Sequence, residues 1–177
     1  MLKGITLVKN EEKREENLRI SVAMFAYNEE GYIGYALHSK GKQMHYVGGG
    51  SDELVDKVDL MSILKKEMLE EGGYEINHIV KLPNVSTITP YPGKSIKSKA
   101  RAKIFTGKLV HNYLVKIGKR NISRYAFDGE SIDLIFDKTI DEQIEFFERK
   151  EPCGYTLNNL KALKYIKDNF KVRYGLK

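Results

Sequence analysis

The sequence lacks the paired cysteines, long apolar runs and N-terminal signal that are typical of disulfide-linked, membrane-spanning and secreted proteins. A single cysteine, Cys153, excludes an internal disulfide and favours a cytoplasmic compartment. No apolar run approaches the roughly 20 residues that span a bilayer, so no membrane association is expected. The N-terminus has no apolar stretch followed by a small-residue cleavage site, so we expect no signal peptide. The four histidines show no metal-ligand spacing.

The length of 177 residues suits one compact domain, predicted over 1–177 with 1–19 as a peripheral N-terminal extension. Hydrophobic residues make up 41% of the chain and charged residues 31%, as in an ordinary soluble protein. The net charge of +6 favours anionic partners, which include phosphates, nucleotides and nucleic acid. The charge alone does not choose among these partners.

Strand and helix patterns interleave along the chain, which predicts an α/β (α+β) fold with a mixed β-sheet. Two strands are expected around a tight turn at Asn28–Gly31. A helix is expected over Leu60–Glu71, with Asp59 as its N-cap and Gly72–Gly73 ending it. Further strands are predicted at 42–47, where a short strand runs into three glycines, and at 74–82, 98–110 and 129–138. A proline-rich loop or irregular edge is predicted at 83–95, and helices at 141–150 and 156–170.

Three glutamates crowd the C-terminal part of the predicted central helix. With Leu60 at zero on a helical wheel, Glu71 falls at about 20°, Glu67 at about 340° and Glu70 at about 280°. They therefore lie beside the apolar stripe rather than opposite it, and their spacing brings the carboxylates together. Like charges near the negative end of the helix dipole repel one another, and a hard divalent cation with oxygen ligands would relieve that repulsion. The alternative is that the glutamates pair with lysines at the surface.

The stretch around this helix, "YVGGGSDE" followed by "KEMLEEGGY", resembles the signature of the Nudix hydrolase family, Gly-x5-Glu-x7-Arg-Glu-U-x-Glu-Glu-x-Gly-U, where U is aliphatic. Glu67, Glu70 and Glu71 match its C-terminal glutamates, Met68 its first aliphatic residue and Gly73 its last glycine. The likeness extends over about residues 20 to 170. It implies a Nudix-like α/β/α sandwich.

The sequence departs from the signature in three places. Lys66 stands at the arginine position and lacks the planar fork that holds two carboxylate oxygens. Tyr74 replaces the final aliphatic residue. Gly49 and Gly50 lie two or three residues too far upstream, so Val58 falls at the first glutamate and Asp56 or Asp59 would have to substitute out of register.

The resemblance implies an enzyme that hydrolyses the phosphoanhydride bond of a nucleoside diphosphate linked to another group. Glu67, Glu70 and Glu71 would hold Mg²⁺ or Mn²⁺, or one of them would act on the attacking water. Lys66 would pair with a carboxylate or a phosphate. Glu130 resembles a downstream acidic residue that some members use, although Asp128 and Asp133 are equally near. The turn expected at Gly48, Gly49 and Gly50 would let backbone approach a phosphate.

Substrate indications lie downstream of the helix. Lys99, Arg101 and Lys103 alternate along a predicted strand and are either a phosphate or RNA contact or a solvated face. The loop "TITPYPGKS" resembles in part the elements that accompany ADP-ribose and NADH substrates, and its prolines also suit a rigid loop. A nucleotide-type substrate is therefore expected, which includes dinucleoside polyphosphates and nucleoside triphosphates. The alternatives are a catalytically inactive nucleotide-binding or regulatory module and an RNA-decapping hydrolase, and a homodimer is compatible with each.

Overall fold

A computed structural model describes residues 18–38, 43–51, 59–83, 85–90, 96–121 and 133–177. The predicted N-terminal extension falls mostly outside these residues, and the first strand begins at Leu18. The strands are β1 (Leu18–Tyr27), β2 (Ala36–His38), β3 (Gln43–His45), β4 (Val47–Gly50), β5 (Tyr74–Lys81), β6 (Thr87–Pro90) and β7 (Gly107–Arg120). The helices are α1 (Leu60–Glu67), α2 (Ile96–Arg101), α3 (Ile140–Glu148) and α4 (Gly154–Tyr174), and a π-helical turn (Met68–Gly72) directly continues α1.

The main sheet is mixed, as the sequence predicts. Its strand order is β4-β1-β7-β5, and β6 pairs with the first residues of β7. The central strands β1 and β7 are parallel, whereas β4, β5 and β6 are antiparallel to their neighbours. Strands β2 and β3 form a separate small ribbon. The chain therefore builds a sheet whose two central strands come from distant parts of the sequence.

Both faces of β1 are buried, and each face belongs to a different core. Val22 and Met24 pack with Leu64 and Met68 of the α1 side. On the other face, Phe25 packs into the cluster that contains the apolar residues of α3 and α4. Because successive side chains of a strand point to opposite faces, helices cover both sides of the sheet. The predicted α/β/α sandwich is confirmed.

The turn after β1 forms where the sequence predicts it, but the strand after it is only partly realised. Gly31 has φ +85° and donates its N–H to the carbonyl of Asn28 over 3.1 Å. A Cβ at Gly31 would lie 2.1 Å from the carbonyl oxygen of Gly175, so the close approach also requires glycine. After the turn the chain returns to β1 only through a bridge between Tyr27 and Ile33.

The strand predicted over 98–110 is wrong in its first half. Residues 96–101 form α2, and β7 begins only at Gly107 and continues to Arg120. Lys99 and Ala100 are both exposed, so they do not alternate between two faces. The stretch in which basic and apolar residues alternate is too short to distinguish a strand from a short helix. Its alanine, lysine and arginine residues are good helix formers, which favours the helix.

The remaining predicted elements are largely confirmed. The segments 74–82 and 141–150 correspond to β5 and α3, and the last helix starts at Gly154, two residues before the predicted Thr156. The proline-rich segment contributes the edge strand β6. Of the strand predicted at 129–138, residues 133–138 show a single bridge, between Ile135 and Tyr35, and the rest lies outside the described residues. Within the described parts of the chain, no helix is both long and apolar enough to cross a membrane.

Replacing Met68 with alanine tests the contact between α1 and the sheet. Met68 is fully buried, so Met68→Ala should reduce the free energy of unfolding by about 2 to 5 kcal/mol through lost burial and a cavity. The matched control is Met61→Ala on the same helix, where the side chain is 47% exposed and the expected change is within about 0.5 kcal/mol. Urea unfolding of both variants gives the comparison, and equal losses would contradict this packing.

Candidate active site

The helix that carries the three glutamates is fixed at its start by a capping aspartate. Asp59 accepts hydrogen bonds from the backbone N–H groups of Met61 at 3.0 Å and Ser62 at 3.3 Å, so its prediction as N-cap is confirmed. The hydroxyl of Ser62 also donates to it, and these bonds lower the pKa of the Asp59 carboxyl. The fully buried Leu64 then sets which side of α1 faces the sheet.

The helix changes its winding at the glutamates. Residues 68–72 form the π-helical turn, and Gly73 ends it at φ +72° with its N–H bonded to the carbonyl of Met68. The predicted termination by Gly72–Gly73 is therefore confirmed. A π-helical turn is rare, occurs frequently at functional sites, and turns less per residue than an α-helix. Glu70 and Glu71 consequently leave the positions that a uniform wheel gives them.

Glu67 lies directly against β4. A Cβ added to Gly49 would sit 2.1 Å from the carboxyl carbon of Glu67, so the carboxylate occupies the space that a side chain at Gly49 would fill. Glu71 reaches the same strand, and its Oε2 accepts the N–H of Gly48 at a long distance of 3.4 Å. The structure thus brings two of the three predicted carboxylates together on the backbone of β4.

Glu70 pairs with a lysine on its own helix. Its carboxylate lies 3.8 Å from Nζ of Lys66, whose side chain is 65% exposed, while that of Glu70 is 43% exposed. Lys66, at the arginine position of the Nudix-like signature, therefore forms an ordinary surface pair with the residue one turn later. Such a pair contributes little to stability.

Gly48, Gly49 and Gly50 were predicted to form a turn, and this prediction is wrong. They pair with Ala23, Val22 and Ser21 of β1 as the edge strand β4. Side chains are excluded from both faces of this strand, by Glu67 at Gly49 and by the carbonyl oxygen of Val22 at Gly48. Glycine-rich stretches are common in turns, but here the missing side chains let neighbouring groups approach the strand backbone closely.

The donors at β4 match the chemistry of a hard cation. Mg²⁺ is typically bound through one or two carboxylates together with water and substrate phosphates, and Glu67 and Glu71 offer two carboxylates beside bare backbone. Among the described residues, no three histidine, cysteine, aspartate or glutamate side chains are arranged to hold a metal ion. Glu130, the weaker predicted ligand, and Asp128 lie outside the described residues, and Asp133 forms an exposed pair with Arg120.

The predicted basic stripe is not one face of a strand. Lys99 and Lys103 are exposed on and just after α2, and Arg101 is partly buried. Arg19, which belongs to no motif in the sequence, is buried in β1 and donates hydrogen bonds to the hydroxyl of Ser21 and the carbonyl of Gly50. The sequence does contain a feature that could have singled out Arg19, because it is the one charged residue in the otherwise uncharged strand "LRISVAMFAY".

Comparison with solved structures identifies the architecture. No family model matches this chain, and no curated protein matches its sequence significantly. The structure is similar to an ADP compounds hydrolase, with TM-score 0.57, 12% identity and coverage of 88% of this chain and 74% of the other. It is also similar to a mutant form of the Bacillus subtilis pyrophosphohydrolase BsRppH, with TM-score 0.57, 11% identity and coverage of 94% and 90%.

This chain has the Nudix fold. A Nudix hydrolase structure from Listeria monocytogenes agrees, with TM-score 0.55, 11% identity and coverage of 88% of this chain and 96% of the other. The low identities fit a chain whose Nudix signature is in register only in its second half. Within the Nudix fold, that half is the π-extended helix that presents Glu67 and Glu71 to β4.

Proposed function

We propose that this protein is a hydrolase that cleaves a phosphoanhydride bond of a nucleotide-type substrate with the help of Mg²⁺ or Mn²⁺. The observation that carries the proposal is the convergence of Glu67 and Glu71 on the glycine strand β4 in a chain with the Nudix fold. Similarity to an ADP compounds hydrolase and to a pyrophosphohydrolase favours the same bond type. The single, exposed Cys153 suits the cytoplasm as the setting.

Glu67 and Glu71 would hold the cation, with Glu70 nearby on the same turn. The bound cation supplies charge neutralisation of the pyrophosphate and a lowered pKa for its water. The chain's own residues position the two carboxylates. Asp59 and Leu64 fix the helix, the π-helical turn aims Glu71 at β4, and the bare backbone at Gly49 leaves room for the Glu67 carboxylate.

The arrangement of Glu70 favours a second candidate, a nucleotide-binding module without turnover. Glu70 is engaged with Lys66 at the surface, and Lys66 lacks the planar fork of arginine. A site with two inward carboxylates retains affinity for a metal-bound phosphate but has one fewer charged group for the reaction. RNA decapping remains the third candidate, and it is included in the same assay as a substrate.

The deciding experiment is product release from a panel of ADP-ribose, NADH, a dinucleoside polyphosphate, a nucleoside triphosphate and a 5′-triphosphorylated RNA, with Mg²⁺, with Mn²⁺ and with chelator. The hydrolase proposal expects cation-dependent release from at least one of them. A Glu67→Gln, Glu71→Gln double variant purified identically should lose that release, which excludes a contaminating enzyme. Binding of a nucleotide without any product would favour the module without turnover.

A further inference from the structure

The strand that receives Glu67 has few means of holding its own position. β4 has four residues, and in the described sheet its one neighbour is β1. Val47 packs into the core on the α1 side, but the three glycines that follow offer no side chain for packing, and glycine weakens a strand. A short edge strand of this kind opens locally at low cost unless another group fixes it. Because Glu67 lies against Gly49, the site needs such a group.

Arg19 ties the end of β4 to β1. Its Nη2 donates to the carbonyl of Gly50 at 3.0 Å, and its Nη1 donates to the hydroxyl of Ser21 at 2.8 Å. Ser21 is also the residue of β1 that pairs with Gly50 in the ladder. One guanidinium therefore bridges the two strands at the last pair of β4, and it does so with two donors of a rigid planar fork that lysine does not have.

The guanidinium is buried and leaves no room for a side chain on β4. Arg19 is only 7% exposed, and a Cβ at Gly50 would lie 2.5 Å from its Nη1. Burying a charge is unfavourable, and an apolar residue would fill the same space without that cost. What arginine adds is a charge-assisted hydrogen bond to a backbone carbonyl, which is stronger than a bond between neutral groups. The residue type therefore suits the fixing of Gly50 better than the filling of a core.

Groups of opposite charge lie on the two faces of β4. Successive residues of a strand face opposite sides of the sheet, so Gly49 and Gly50 do so here. The carboxylate of Glu67 occupies the space over Gly49, and the guanidinium of Arg19 occupies the space over Gly50. A shift of the backbone at Gly50 would be passed to the adjacent Gly49 and so to the carboxylate that lies against it.

We propose that Arg19 is a positioning residue of the active site, which fixes the end of β4 so that Glu67 and Glu71 converge on a rigid backbone. Arg19 acts through Gly50, and we assign it no contact with the cation or the substrate. The inference rests on the proposed function for the cation that the two carboxylates hold. The contact of Arg19 with β4 is measurable without any reaction.

Amide hydrogen exchange, measured by NMR on the protein without ligand, tests the contact with β4. The reporter is the N–H of Ser51, which is bonded to the carbonyl of Ile20 at 3.1 Å directly after Gly50. Arg19→Met keeps an unbranched side chain and removes both donors, so exchange at Ser51 should become about tenfold faster or more. Exchange at the fully buried Leu114 of β7 reports global unfolding, and the acceleration at Ser51 should exceed any acceleration there. Equal exchange at Ser51 in Arg19→Met and wild type would overturn the proposal.

Mn²⁺ binding without substrate, followed by the electron paramagnetic resonance of the free ion, tests the role at the site. Arg19→Met should weaken Mn²⁺ binding about tenfold or more, as substitutions of groups that orient metal ligands do. The matched control is Arg149→Met at the end of α3, where the side chain is 78% exposed and the same charge is lost, and it should bind as the wild type does. A lower melting temperature of Arg19→Met with unchanged Mn²⁺ affinity would show a purely structural role and overturn the proposal.

A second variant keeps both measurements decisive if Arg19→Met does not fold. Arg19→Lys keeps the charge and loses the planar fork, so it should show the same two changes in a smaller degree. A folded Arg19→Lys with the Ser51 exchange and the Mn²⁺ affinity of the wild type would then overturn the proposal.

The outcome is separable from that of the proposed function. Faster exchange at Ser51 and weaker Mn²⁺ binding, in a protein that releases no product from the substrate panel, would support the positioning role and end the hydrolase proposal. Hydrolysis with the same Mn²⁺ dependence in Arg19→Met and wild type would support the hydrolase and end the positioning role. If both hold, the Mn²⁺ concentration at half-maximal rate should rise in Arg19→Met by a larger factor than the KM for the substrate, because Arg19 acts on the metal ligands.

Discussion

Glu71→Gln is expected to reduce hydrolysis of the active panel substrate by about a hundredfold or more. The substitution removes one of the two carboxylates at β4 while it keeps the shape of the side chain. A cation that activates water supplies several kcal/mol of transition-state stabilisation, and each 1.36 kcal/mol is about tenfold in rate. Glu70→Gln should cost less, because Glu70 is engaged with Lys66 at the surface.

The stability of Glu71→Gln separates the two interpretations of the glutamate cluster. Without metal, the variant should be as stable as the wild type or more so, since glutamine still accepts the Gly48 N–H and relieves repulsion at the negative end of the helix. Melting of the wild type should rise with Mg²⁺, and the rise should shrink in the variant. Normal activity with a loss of at most about 1 kcal/mol would instead indicate surface salt bridges. Glu145→Gln, on the exposed side of α3, controls for net charge.

Gly49→Ala is expected to abolish most activity while the protein stays folded. The added methyl group would occupy the place of the Glu67 carboxylate, 2.1 Å from its carboxyl carbon. That carboxylate is the far end of a flexible side chain, so it moves aside at small cost to stability. A displacement of about 1 Å in a positioned group can cost about a hundredfold in rate.

Gly48→Ala provides the contrast within the same strand. Its Cβ would lie 2.5 Å from the carbonyl oxygen of Val22, which is backbone and does not move aside cheaply. This variant should therefore lose stability in thermal melts, whereas Gly49→Ala should lose activity at a nearly unchanged melting temperature. A fully active Gly49→Ala would show that the position of Glu67 against β4 is not needed for the reaction.

The sequence by itself determined the features that depend on neighbouring residues. The α1 helix with its Asp59 cap and its end at Gly72–Gly73, the turn at Asn28–Gly31 and the two C-terminal helices follow from capping, turn and helical spacing rules that act within a few residues. The match of Glu67, Glu70 and Glu71 to the Nudix-like signature likewise depends on local spacing. These features were sufficient to anticipate the fold that the solved structures support.

Tertiary structure alone decided how the site is arranged. The three glycines form a strand because they pair with β1. The π-helical turn places Glu71 against β4, whereas Glu70 pairs with Lys66. Arg19 and Lys108 became neighbours only when two strands far apart in the chain paired in parallel. Side chains on one strand alternate with a period of two, so the register between distant strands decides which groups meet, and no local pattern encodes that register.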